Sequence, residues 1–117
     1  MPNDPLTVRQ LAGALSLTVF AATDEALARP VTGGYAGDLL SWVMGRAPAG
    51  AAWITIMSNV NVAAVAVMAG LSCVILAEGV TPADALAARA RLENLAVLGS
   101  DLGAYELCHG LRGLLCP

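Results

Sequence analysis

Apolar and polar positions alternate along the chain as a series of short apolar runs and amphipathic stretches separated by small or polar residues. Val8, Leu11 and Leu15 recur at helical spacing behind Thr7, and Thr7 with Gln10 has the form of a capping box, so "TVRQLAGAL" predicts a first helix. "LTVFA" follows as a short strand, and "TDEALARP" reads as a polar connector closed by Pro30. From Val31 onward the pattern becomes regular. "VTGGYAG" is a strand or strand end, and "DLLSWVMG" is a helix with Asp38 as its N-cap and Gly45 at its stop. "AWITIM" is a strand; "NVNVAAVAVMAG" is a helix capped by Ser58 or Asn59 and ended by Gly70. "SCVILAEG" is a continuous apolar strand, and "TPADALAARARLEN" is a helix with Thr81 as cap, Pro82 at its first position and Asn94 at its end. "LAVLGS" is the last strand and "DLGAYELCHGLRGLL" the closing helix.

Strands that alternate with helices of this length call for a mostly parallel sheet. The strands are apolar on both faces, as expected where helices cover both sides. The expected fold class is α/β, three-layer, with a mostly parallel sheet and helices on both faces, and the 117 residues suit a single domain, 1–117.

In open sheets of this class ligands bind beyond the carboxyl ends of the strands. That rule turns the alternation into a candidate site. The residues following the strands are Thr32, Gly33 and Gly34 with Asp38; Ser58, Asn59 and Asn61; Glu78 and Gly79; and Ser100 and Asp101. Each group precedes a helix, whose first backbone N–H groups lack intrahelical partners. The expectation is that Gly34, Asn59, Gly79 and Ser100 meet along one edge. Asp38, Ser58, Asn59, Ser100 and Asp101 are also ordinary capping residues, and the glycines are ordinary turn residues. Asn61 differs: it falls inside an apolar helical stretch, where a buried amide needs partners.

Composition changes this picture in one respect. The apolar set is 57% of the chain and charged residues only 13%, against about 25% in an average soluble domain. One small core cannot hide that much apolar surface, so a partner or a membrane must take up the surplus. The longest uninterrupted apolar piece, Val62 to Ala77, contains Gly70 and Ser72 and is shorter than the roughly 20 residues of a spanning helix. The start "MPNDPLTVRQ" lacks the basic and apolar regions of a leader. The expectation is a cytoplasmic protein off the membrane, and a homodimer.

Charge limits the ligand. The net charge is −3, lysine is absent and the six basic residues are scattered arginines, which disfavours nucleic acid. Asp38, Glu78 and Asp101 would place three carboxylates on the rim. Free phosphate is repelled there unless Arg29 and Arg46 fold toward it; a neutral or cationic ligand, a nucleotide base or a metal-bridged anion fits better. Catalytic patterns are missing: no P-loop, because the chain has no lysine, and no GxSxG or GxGxxG. His109, near Glu106 and Cys108, has no nucleophile–base set around it. Cys73, Cys108 and Cys116 lack metal-ligand spacing, so no metal site is expected. The identity of any cofactor is unknown from the sequence.

The segment from Arg29 to Gly79 resembles the DRTGG domain, above all in "TGGYAGDLLSWVMGRA", "AWITIMSNVN" and "CVILAEG". The aspartate and arginine that precede Thr-Gly-Gly in the motif are replaced here by Ala28-Arg29, followed by Pro30-Val31. The resemblance implies a fold similar to the N-terminal domain of HPr kinase/phosphorylase and a regulatory rather than catalytic module. Such a module would sense a nucleotide or small metabolite, or dock onto a metabolic or redox enzyme. A ligand-free scaffold or assembly factor for such a complex is the alternative. A small enzyme using Asp38 or Asp101 is a third reading.

Overall fold

A computed structural model describes residues 5–117. The first residues of the segment read as free of a leader, and of the 1–117 domain, lie outside them. Two strands, β1 (Leu6–Thr7) and β3 (Pro30–Val31), form a small antiparallel pair. The main sheet contains β2 (Thr18–Ala21), β4 (Gly33–Ala36), β5 (Ala51–Thr55), β6 (Cys73–Leu76) and β7 (Ala96–Gly99) in the order β2-β7-β6-β5-β4. β4 to β7 run parallel, and β2 pairs with β7 antiparallel through an irregularity between Val19 and Ala21. The helices are α1 (Val8–Ala14), α2 (Asp24–Leu27), α3 (Leu40–Arg46), α4 (Asn61–Met68), α5 (Asp84–Leu92) and α6 (Ala104–Leu115).

The layering follows from strand periodicity. Successive side chains point to opposite faces, so a strand buried on both sides must be apolar at every position. β5, β6 and β7 are buried throughout. Ala52, Ile54, Cys73, Ile75, Ala96 and Leu98 face α1 and α6, where Leu11, Leu107 and Leu111 meet them. Trp53, Val74, Leu76 and Val97 face the opposite layer, filled by Val43 of α3, Val62 and Ala66 of α4 and Leu86 of α5. The strands β4, β5, β6 and β7 advance one position at a time across the sheet, so crossovers of one hand place α3, α4 and α5 on the same face. The expected three-layer α/β architecture is what forms.

Local signals succeed where they act within a few residues. The Thr7–Gln10 box closes as expected, with Gln10 N donating to Thr7 Oγ1 at 3.2 Å and Thr7 N donating to Gln10 Oε1 at 3.0 Å. The connector "TDEALARP" instead holds the single turn α2, capped by Thr23, whose Oγ1 accepts from Ala26 N at 3.1 Å. Three cap assignments are corrected, together with the burial of Asn61; the first is that α4 takes Val60 as its N-cap, with no side-chain cap bond, rather than Ser58 or Asn59. Asp38 does not cap α3, which starts behind Leu39 with no side-chain cap bond. Thr81 and Pro82 precede α5 rather than open it: its N-cap is Ala83. Asn61 is not buried inside α4; it is the exposed first residue, and its N–H donates to Asn59 Oδ1 at 2.9 Å.

The apolar surplus appears on the surface. Trp42 and Leu39 are half exposed, as are Ile56 and Val60, while Met68, Leu92 and Tyr105 are mostly exposed. Among the described residues no helix is long and apolar enough to cross a membrane.

Candidate functional site

The loops that leave β4, β5, β6 and β7 toward their helices all emerge at one edge of the sheet, and main-chain bonds tie neighbouring loops together. Ala77 N donates to Thr55 O at 3.0 Å, Gly79 N to Ser100 O at 2.9 Å, Glu78 N to Leu102 O at 2.8 Å and Ala83 N to Ser58 O at 3.0 Å. Val80 N closes a turn onto Ala77 O at 3.1 Å, with Glu78 (φ 62°) and Gly79 (φ 72°) both left-handed at its centre. That geometry defines a type I′ turn, which favours glycine at both central positions. Glu78 occupies one of them with an exposed side chain.

The eleven residues expected on this rim divide into two groups. Asp38, Ser58, Asn59, Asn61, Glu78, Gly79, Ser100 and Asp101 do reach it. Thr32, Gly33 and Gly34 do not. Gly33 and Gly34 open β4 opposite Ala51 and Ala52, the first residues of β5, so the Thr-Gly-Gly segment lies at the amino ends of the strands. Thr32 N donates to Gly50 O at 2.9 Å there. The glycines do not turn the chain; Gly34 lies under α6, where a Cβ would stand 2.6 Å from Leu111 Cδ2. Of the four residues expected to converge, Gly79 and Ser100 are bonded to each other, Asn59 follows β5 at the same edge, and Gly34 lies at the opposite ends of the strands.

Asp38 has an unforeseen role. Its Oδ1 accepts from Thr55 Oγ1 at 2.7 Å and from Ile56 N at 3.1 Å, which fixes the β4–α3 loop to the end of β5. Gly37 O in the same loop accepts from the buried indole of Trp53 at 2.8 Å. Ser100 Oγ accepts from Leu102 N at 3.0 Å, and Glu106 reaches back to Gly103 N at 3.3 Å. Asp101 is exposed. Of the arginines considered as an offset, Arg29 lies away from the rim and Arg46 reaches only the groove between β4 and α3 that it shares with Asp38. Arg29 Nη1 donates to Leu71 O, before β6 at the opposite edge, at 3.5 Å, and Arg46 lies over the Trp42 ring, 3.7 Å from its centroid.

Among the described residues, three open grooves bear on the expected site residues. One of about 400 Å³ opens at the β7 end of the rim, between Gly79, Thr81, Ser100 and Asp101 on one side and Ser16, Thr18 and Phe20 on the other. The Phe20 ring crosses Gly99 so closely that a Cβ there would stand 2.3 Å from it. The second, about 390 Å³, runs between β4 and α3 and includes Tyr35, Asp38, Trp42 and Arg46. The third, about 350 Å³, lies between β4 and α6 and takes in Thr32, Gly33 and Gly34 with Cys108, Arg112 and Cys116. Ser58, Asn59, Asn61 and Glu78 line none of the three. Phe20 and Thr18 were missed in the sequence because they reach the rim through the antiparallel pairing of β2 with β7, which no local pattern reveals.

The rim groove offers an aromatic ring, hydroxyls and one carboxylate. Among the described residues no group of three or more His, Cys, Asp or Glu could hold a metal ion. Cys73 is wholly buried in the core, and burial pushes its thiol up to about 12; burial also raises Cys108.

No protein-family model matches the chain, and no curated protein matches its sequence. Among solved structures it is similar to the CBS and DRTGG domains of the regulatory region of Clostridium perfringens pyrophosphatase, complexed with the activator diadenosine tetraphosphate. The likeness has a TM-score of 0.69 at 15% sequence identity and covers 89% of this chain. The chain spans 45% of the length of that solved chain. The fold is thus a DRTGG-like α/β fold.

Proposed function

We propose that residues 1–117 form a single, non-catalytic regulatory domain that senses a small ligand at the β7 end of the rim and acts as a cytoplasmic homodimer, docking onto a metabolic enzyme. The observation that carries the reading is the rim groove of about 400 Å³, in which the Phe20 ring, the hydroxyls of Thr18 and Ser100 and the Asp101 carboxylate converge without a nucleophile–base pair. An aromatic wall suits a nucleotide base, and a carboxylate suits ribose hydroxyls or a cation. Polyphosphate would enter bridged by a divalent cation, since Arg29 and Arg46 lie elsewhere. The solved regulatory region of like fold is itself complexed with a nucleotide activator, which supports a nucleotide as the first class to test.

A thermal-shift series with adenine and guanine nucleotides, dinucleoside polyphosphates and acyl phosphates, each with and without magnesium, tests the reading. A ligand present at a hundred times its Kd stabilises by about 2.7 kcal/mol, a shift of roughly 10 °C at this chain length. Asp101→Ala should abolish the shift and leave the unliganded melting temperature unchanged. Silence across the series at millimolar concentration removes the sensing reading. The half-exposed Trp42 and Leu39 favour the ligand-free scaffold as a second reading, in which partner capture is indifferent to Asp101→Ala.

A further inference from the structure

β4 ends the main sheet, and among the described residues nothing pairs with its outer edge. Exposed edges are normally guarded by charge, proline or a bulge. "GGYA" has none of these, and its register with β5 is unbroken. Gly37 N donates to Ile54 O at 3.1 Å. In a parallel ladder the residues that bond to a given neighbour alternate. Gly33, Tyr35 and Gly37 therefore face β5, whereas Gly34 and Ala36 turn their N–H and C=O toward the open edge. Grooves flank this edge on both faces, the one of about 350 Å³ under α6 and the one of about 390 Å³ under α3.

We propose that β4 of a second copy closes this edge, antiparallel about a two-fold axis at Tyr35, so that the two sheets become one. This rests on the homodimer of the proposed function and specifies its interface. The edge is its own complement in that register. Each Gly34 exchanges both main-chain bonds with the partner's Ala36, and the two Tyr35 rings meet as a non-hydrogen-bonded cross-strand pair. The charges are self-complementary as well. Asp38 precedes α3 and Arg46 ends it, and both line the same groove. An antiparallel two-fold sets the acidic end of one groove beside the basic end of the other. It also brings together the half-exposed Trp42 and Leu39 of the two copies, which accounts for part of the apolar surplus. The contact is isologous and closes at two copies.

Sedimentation velocity across the micromolar range tests the proposal. The wild type should dimerise. Ala36→Pro removes a donor that faces away from β5, a change that edge strands tolerate, and should weaken the dimer by about tenfold or more. Independently, Tyr35→Cys in a Cys108→Ser, Cys116→Ser background should cross-link to itself under mild oxidation, because opposed non-hydrogen-bonded residues stand about 4.5 Å apart at Cα, within disulfide reach. That cross-link decides the matter if Ala36→Pro fails to fold. A monomeric wild type, a folded Ala36→Pro protein that dimerises as the wild type does, or an absent Tyr35→Cys cross-link overturns the proposal. With a dimer still present, the last two outcomes leave the homodimer with a different interface, and ligand sensing is read separately by the thermal shift.

Discussion

Replacing Asp38 separates two accounts of the rim. A helix cap satisfies N–H groups of its own helix, and serine or asparagine does that as well as aspartate. In the structure Asp38 instead bridges to the end of β5, accepting from Thr55 Oγ1 at 2.7 Å and Ile56 N at 3.1 Å. Thr55 is 2% exposed, so loss of the acceptor strands a buried hydroxyl donor. Stranding a buried polar group costs about 1–3 kcal/mol, and water reaches Asp38 well enough to place the loss near 2 kcal/mol. At this chain length that is roughly 8 °C in Tm. Asp38→Ala and Asp38→Ser should both lose that amount, because the serine hydroxyl is too short to reach β5. Asp38→Asn keeps an acceptor and should lose about half. Urea denaturation followed by circular dichroism measures all three. Asp38→Ser within about 0.5 kcal/mol of wild type, beside a destabilised Asp38→Ala, would refute the bridge and restore the cap.

Two further outcomes follow from packing and burial. Gly99→Ala pushes a methyl into the Phe20 ring, which a Cβ would approach to 2.3 Å; we expect a loss of about 1–3 kcal/mol in urea denaturation together with loss of any rim-ligand shift. Cys73 has its folded thiol pushed up to about 12 from an ordinary 9.0, so the unfolded chain releases this proton first. The stability it contributes is whole below pH 9 and falls as the pH rises toward 12. Denaturation across that window should show a shallower decline for Cys73→Ala than for the wild type, and under native conditions a thiol reagent should label the exposed Cys116 and spare Cys73.

The central layer was legible in the sequence because its signal is local. β5, β6 and β7 are buried on both faces and call for continuous apolar runs, which "AWITIM", "SCVILAEG" and "LAVLGS" display directly; the buried polar Thr55 at the end of β5 is satisfied by Asp38. The site was legible only in part, because its errors depend on contacts distant in the chain. Thr32-Gly33-Gly34 has the composition of a turn, yet Gly34 is small because Leu111 occupies the space of a side chain. Asp38 has the composition of a cap, yet its partners lie on β5, 17 and 18 residues on. Asn61 follows the same logic in reverse: apolar neighbours suggested burial, but the first turn of α4 projects it into solvent. The β2 residues of the rim groove depend on an antiparallel pairing across most of the chain. Backbone periodicity therefore located the rim, and tertiary packing chose which side chains furnish it.

The most direct measurement is an amide NMR titration of the folded chain with the nucleotide that gives the largest thermal shift, in magnesium. The account predicts saturable shifts concentrated at Thr18, Phe20, Gly79, Ser100 and Asp101, and absent in Asp101→Ala. Shifts gathered instead at Thr32, Gly34 and Arg112 between β4 and α6, or no saturable shifts at millimolar ligand, would contradict it.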